Sequence, residues 1–136
     1  MGNEQAGSSG GSAPKPRILV VEDEPFIAML LADMLEELGF AITATFPHVT
    51  EAQNYLASAD IDLALLDVNL GDEKIDPVAD LLAARGRPFI FTTGYGPRGI
   101  PQNYADRPVL QKPFQLEELA NALEAHLGSP DVTPKS

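Results

Sequence analysis

The sequence predicts an α/β protein built on a doubly wound parallel sheet. Two observations carry that expectation. Short apolar runs alternate with longer stretches whose apolar residues recur every three to four positions, the pattern of buried strands linked by amphipathic helices. Gly and Pro stand at the joins, where they suit helix starts and stops. Strand–helix–strand units of this kind close as right-handed crossovers, so the strands run parallel and helices cover both faces. Five strands with about five helical segments fit a flavodoxin-like (βα)5 arrangement, strand order 2-1-3-4-5.

In chain order, Arg17–Val21 is a β-branched apolar run and reads as the first strand. Pro25–Leu38 follows as a helix, with Phe26, Ile27, Leu30, Leu31, Met34, Leu35 and Leu38 on one stripe, Pro25 in the first turn and Gly39 at the stop. Ala41–Thr45 reads as a strand and Val49–Ser58 as a helix; Asp62–Asp67 is the third strand. Pro77–Arg85 is a helix closed by Gly86, Pro88–Thr92 a strand, Arg107–Gln111 a short strand, and Leu116–Leu127 a helix with a leucine stripe. The stretch Gly94–Tyr104, GYGPRGIPQNY, has three glycines and two prolines. It predicts a loop with at most a short turn, so the fourth helix is expected to be short or irregular.

Composition bounds the function. The 136 residues suffice for one domain, and 44% hydrophobic content for a core. Residues 1–16, rich in Gly, Ser and Pro, predict a disordered tail; 17–127 form the domain; 128–136 predict a flexible end. With no cysteine there is neither a disulfide framework nor a thiolate metal site. The apolar runs fall far below the roughly 20 residues a membrane helix needs. No apolar signal core precedes the domain, so a cytoplasmic protein without membrane contact is expected. A net charge of −11 argues against nucleic-acid binding, which rests on basic side chains against phosphate.

In doubly wound folds ligands bind at the carboxyl ends of the strands. The first strand ends in Val21-Glu22-Asp23-Glu24, the third in Asp67, the fourth in Thr92-Thr93-Gly94 and the fifth in Gln111-Lys112-Pro113-Phe114. These ends converge on one rim carrying three carboxylates, a hydroxyl and an ammonium. Carboxylates held together repel and raise one another's pKa, a penalty that a hard cation removes. Mg²⁺ takes oxygen ligands and keeps several waters, with one or two carboxylates in direct contact. Asp23 and Asp67 can supply oxygens, Glu22 can act directly or through water, and the Asn69 carbonyl lies just beyond. Lys112 suits phosphate as a point charge, Thr93 can donate to a phosphoryl oxygen, and an Asp carboxylate can act as a nucleophile that forms an acyl phosphate.

Those residues, in that order on that alternation, resemble a response-regulator receiver domain over about residues 17–127. The resemblance implies that Asp67 accepts a phosphoryl group from a sensor histidine kinase or phosphotransfer protein. It further implies Mg²⁺ or Mn²⁺ held by Glu22, Asp23, Asp67 and the Asn69 backbone carbonyl, Lys112 on the phosphoryl group, Thr93 as the switch hydroxyl, and a cis Lys112–Pro113 bond. Counted from Pro88, which opens the fourth strand, the switch position falls on Thr93 and not on Thr92. Receivers commonly carry an aromatic residue three positions before the lysine, and Val109 stands there. PFIFTTGYG is instead similar to the PFxFATGY signature of the FATGUY family of stand-alone receivers, with Thr92 replacing its Ala. The expectation is that the Gly94–Tyr104 loop, with Tyr95, reports phosphorylation in place of a switch aromatic. The chain has no room for an output domain, so it is expected to signal as a monomer through a downstream protein partner or through phosphate flow, and not as an enzyme. A haloacid-dehalogenase-like phosphatase would need an acid two residues after the nucleophile, where this chain has Asn69, and a flavodoxin would need a Ser/Thr/Gly phosphate loop where it has Glu-Asp-Glu-Pro.

Overall fold

The computed structural model describes residues 15–94, 96 and 99–127. The two tails beyond them and Tyr95, expected to be part of the switch, lie outside the described residues. Five strands, β1 (Arg17–Val21), β2 (Ala41–Phe46), β3 (Leu63–Asp67), β4 (Phe89–Thr93) and β5 (Val109–Gln111), form one parallel sheet. Their spatial order is β2-β1-β3-β4-β5, the flavodoxin-like order. Four α-helices, α1 (Pro25–Glu37), α2 (Val49–Leu56), α3 (Asp76–Ala84) and α4 (Leu116–Leu127), are present among the described residues. Between β4 and β5 the described part holds only a 3₁₀ turn, Gln102–Tyr104.

The period-two alternation of each strand sorts its side chains into two cores. Leu19, Val21, Leu66 and Phe91 pack with α2 and α3 residues such as Ala52, Val78 and Leu82. Ile18, Val20, Leu65 and Ile90 pack with α1 and α4 residues such as Leu31, Leu35, Leu119 and Leu123. Strands β3 and β4 are buried along their whole length, which explains why they read as continuous apolar runs.

The element boundaries differ from the sequence expectation in ways that have causes. The third strand begins at Leu63 because Asp62 is engaged elsewhere: its Oδ2 accepts from the Arg17 backbone N–H at 2.7 Å, and Arg17 Nε lies 3.3 Å away. The fifth strand begins at Val109 because Pro108 has no N–H to give the ladder, although its carbonyl accepts from Phe91 N–H at 3.0 Å. The fourth strand runs one residue further than expected, to Thr93, and so carries both threonines. Helix α1 stops at Glu37, with Leu38 as its C-cap and Gly39 at φ +91°, a left-handed conformation that favours glycine.

The consequence for function is a rim. In the β3–β4 register Asp67 lies opposite Thr92, and in the β4–β5 register Thr93 lies opposite Gln111. The acid that ends β3, the hydroxyl that ends β4 and the lysine just after β5 therefore come out at one edge of the sheet, beside the Glu22-Asp23 pair that follows β1.

Candidate functional site

Asp67 is fully buried at the end of β3. An ionised carboxylate there is costly unless it is paired or hydrogen-bonded. Its Oδ1 accepts from the Asn69 backbone N–H at 2.8 Å, and its Oδ2 lies 3.2 Å from Lys112 Nζ. Glu22, 2% exposed, accepts from the Glu24 backbone N–H through Oε2 at 3.1 Å, and its Oε1 lies 2.8 Å from the same ammonium. Lys112 thus stands between the two acids. The following peptide, Lys112–Pro113, is cis, and the Lys112 N–H donates to the Thr93 carbonyl at 2.7 Å, fixing the lysine against the end of β4.

Asp23, only partly buried, completes an acidic cluster: Glu22, Asp23 and Asp67 offer carboxylate oxygens all within 4.8 Å of one another. The electrostatics are unbalanced. Burial pushes the Glu22 carboxyl up to about 7, with the Asp67 charge adding to the rise and the Lys112 hydrogen bond opposing it. For Lys112, burial pulls the ammonium down, but the hydrogen bond to Glu22 and the charge of Asp67 outweigh it, and its pKa stands above that of an ordinary lysine. Among the described residues the cluster gathers three acids, two of which share the one ammonium of Lys112. Apart from that ammonium, the buried atoms Glu22 Oε1 and Asp67 Oδ2 have no hydrogen-bond partner among the described residues. Buried hard oxygens that share one ammonium in an excess of negative charge are the donor set of a divalent cation such as Mg²⁺, so the residues present fit a metal ion.

Thr93 is buried, and its Oγ1 donates to Asn69 Oδ1 at 3.2 Å; the Gly94 N–H donates to the same oxygen at 2.9 Å. Asn69 therefore has a side-chain role that the sequence reading, which gave it only a backbone carbonyl, did not contain. Its position two residues after the acid was visible in sequence; its partners, 24 and 25 residues away, were not. Val109 sits at the start of β5 and is 39% exposed. His48 lies outside the cluster, with its ring exposed, but it is not free: Nδ1 is 2.7 Å from Glu73 Oε2. A cavity of about 570 Å³, bordered by Glu24, Ile27, Asn69, Gly94, Lys112 and Pro113, opens beside the acids. No helix among the described residues is long and apolar enough to cross a membrane.

Residues 18–124 match the response regulator receiver domain family. The probable chemotaxis protein CheY of Rhizobium etli is 30% identical over 126 residues, which is 86% of this chain and 96% of that protein. The solution structure of SdrG from Sphingomonas melonis Fr1 is 48% identical with a TM-score of 0.75, covering 83% of this chain and 97% of that one. The BeF3-activated conformation of SdrG from Pseudomonas melonis Fr1 is 46% identical with a TM-score of 0.70, covering 82% and 95%. Against most other curated relatives it matches, PdtaR and PhyR among them, the chain spans about half of their length or less.

Proposed function

The chain belongs to the response regulator receiver family, and from that membership we propose that it is a phosphoacceptor of a two-component relay, with Asp67 as the accepting residue. The observation that carries the reading is the state of the Asp67 carboxylate. It is fully buried at a strand end, one oxygen is held by the Asn69 N–H, and among the described residues the other meets only the Lys112 ammonium. In the reaction the Asp67 oxygen attacks the phosphorus of a phosphohistidine on a sensor kinase or phosphotransfer protein. A P–O bond forms, the P–N bond breaks, and its electron pair leaves on the imidazole nitrogen. Lys112 would hold a phosphoryl oxygen, and the Thr93 hydroxyl would donate to another.

Glu22, Asp23, Asp67 and the Asn69 backbone carbonyl would hold Mg²⁺ or Mn²⁺, and the bound ion would supply the positive charge that the three acids lack. The phosphoryl group adds about −1.5 to −2 charge to an already acidic rim, so modification is expected to depend on the cation. We read the chain as an acceptor and not an enzyme on foreign substrates, because the Asn69 amide cannot exchange a proton. A cytoplasmic monomer that hands its signal to a protein partner, without nucleic-acid contact, fits the net charge of −11.

The experiment is incubation with acetyl phosphate or beryllofluoride, with and without Mg²⁺, on wild type and Asp67→Asn, followed by mass spectrometry and NMR. The activated SdrG relative makes beryllofluoride an apt probe. Cation-dependent modification of wild type and none of Asp67→Asn is expected. Modification that survives Asp67→Asn, or turnover of many phosphate esters, would overturn the reading.

A further inference from the structure

We propose that Asn69 is a positioning residue. Its side chain holds the Thr93 hydroxyl and the start of the β4–β5 connection in the unmodified arrangement, in direct competition with a phosphoryl group on Asp67. The inference rests on the phosphoacceptor reading and goes one step past it.

The geometry is a three-way tie made by one residue. The Asn69 backbone N–H donates to Asp67 Oδ1 at 2.8 Å. The Asn69 side-chain oxygen accepts from Thr93 Oγ1 at 3.2 Å and from the Gly94 N–H at 2.9 Å. An N–H can meet only an acceptor, so the Gly94 contact itself assigns the oxygen, and not the nitrogen, of the amide to that side. The amide nitrogen faces the other end of the same loop: a methyl group on Gly99 would come 3.8 Å from Asn69 Nδ2 and 3.4 Å from the Val68 carbonyl oxygen. Asn69 is therefore bonded to Gly94 and lies near Gly99, both glycines of the β4–β5 connection.

The competition follows from counting protons. A threonine hydroxyl has one hydrogen to donate. It can go to Asn69 Oδ1 or to a phosphoryl oxygen, but not to both. When Thr93 turns to the phosphoryl group, Asn69 Oδ1 loses one of its two donors and keeps only the Gly94 N–H. The side chain at position 69 thus sets how far the unmodified chain already populates the activated arrangement. Removing one neutral hydrogen bond shifts such an equilibrium by on the order of tenfold.

The test compares wild type, Asn69→Ala and Asn69→Asp, all unmodified and metal-free, by amide hydrogen exchange and NMR shifts across Thr93–Tyr104. Asn69→Ala removes the acceptor; Asn69→Asp keeps an oxygen that accepts from both donors. Gly94 N–H exchange about tenfold faster in Asn69→Ala, with shifts displaced toward those of beryllofluoride-treated wild type and Asn69→Asp staying close to the untreated positions, is the expected result. Unchanged Gly94 exchange in Asn69→Ala, or equal loss in both variants, overturns the proposal. A wild type that takes no beryllofluoride overturns the phosphoacceptor reading and the competition built on it, while Gly94 exchange still decides separately whether Asn69 holds the loop.

Discussion

Glu22 is the residue where burial and charge are most at odds. Its carboxyl, pushed up to about 7 from 4.5 by burial, binds a proton more tightly in the folded chain than in the unfolded one. Its contribution to stability is therefore complete below about pH 4.5 and is lost as the pH rises through about 7. In chelator, the wild-type chain is expected to lose stability over that window. Glu22→Gln, which cannot ionise, should flatten the loss and raise stability by about 1 kcal/mol at about pH 8, read as the denaturant midpoint. A mutant as pH-sensitive as wild type would show that the unbalanced acid lies elsewhere in the cluster. Because a cation binds the ionised form, its affinity should climb over the same window. The acid type at this position could be read from the sequence; its burial beside Lys112 could not.

Helix α2 illustrates the next scale. The residue before it, His48, gives no side-chain cap. The first backbone N–H, that of Val49, instead donates to Glu73 Oε1 at 2.8 Å, while Glu73 Oε2 meets His48 Nδ1. A carboxylate from the β3–α3 loop thus satisfies an orphan helix donor and complements the helix dipole. It also ties α2 to the loop that leaves Asp67. The Glu73 hydrogen bond raises the pKa of His48, and the Val49 and His48 hydrogen bonds lower that of Glu73. The His48 contribution is full below about 6.5 and fades as the pH rises through its raised value, whereas that of Glu73 is present above about 4.5 and is lost in acid. Glu73→Ala should speed Val49 amide exchange by about fivefold and lower the His48 titration from its raised position. A His48 titration that does not move would break the assignment. At the same scale, the β4–β5 connection has a 3₁₀ turn where an α-helix would be usual, secured by Tyr104, whose hydroxyl donates to Asp80 at 2.6 Å and whose ring packs edge-on against Phe89.

At the scale of the whole molecule, the sheet separates two apolar layers and carries the acidic cluster only at its rim. Leu66, fully buried one residue before Asp67, belongs to the layer under α2 and α3. Leu66→Ala deletes methyl groups from a packed core and should cost about 3 kcal/mol. Urea unfolding should show a lower midpoint at unchanged slope, and a loss under about 1 kcal/mol would mean that the layer collapses around the gap. The cores explain why the apolar pattern was readable: each strand face is filled by residues of one parity, and each helix buries one stripe.

The sequence by itself determined the alternation of elements, the parallel sheet and the residue types gathered at the rim. All of these follow from periodicity, from glycine and proline at the joins, and from the handedness of crossovers, which are local or universal constraints. Only the tertiary structure decided who holds whom. That Asn69 bonds Thr93 and Gly94, that Glu73 caps α2 and that Asp62 anchors Arg17 are contacts across 24 to 45 residues. They exist because strand register places Asp67 opposite Thr92 and because loops from neighbouring strands emerge at one edge. No local pattern encodes such a pairing, since a polar residue in a turn has many partners it could choose, and packing leaves it one.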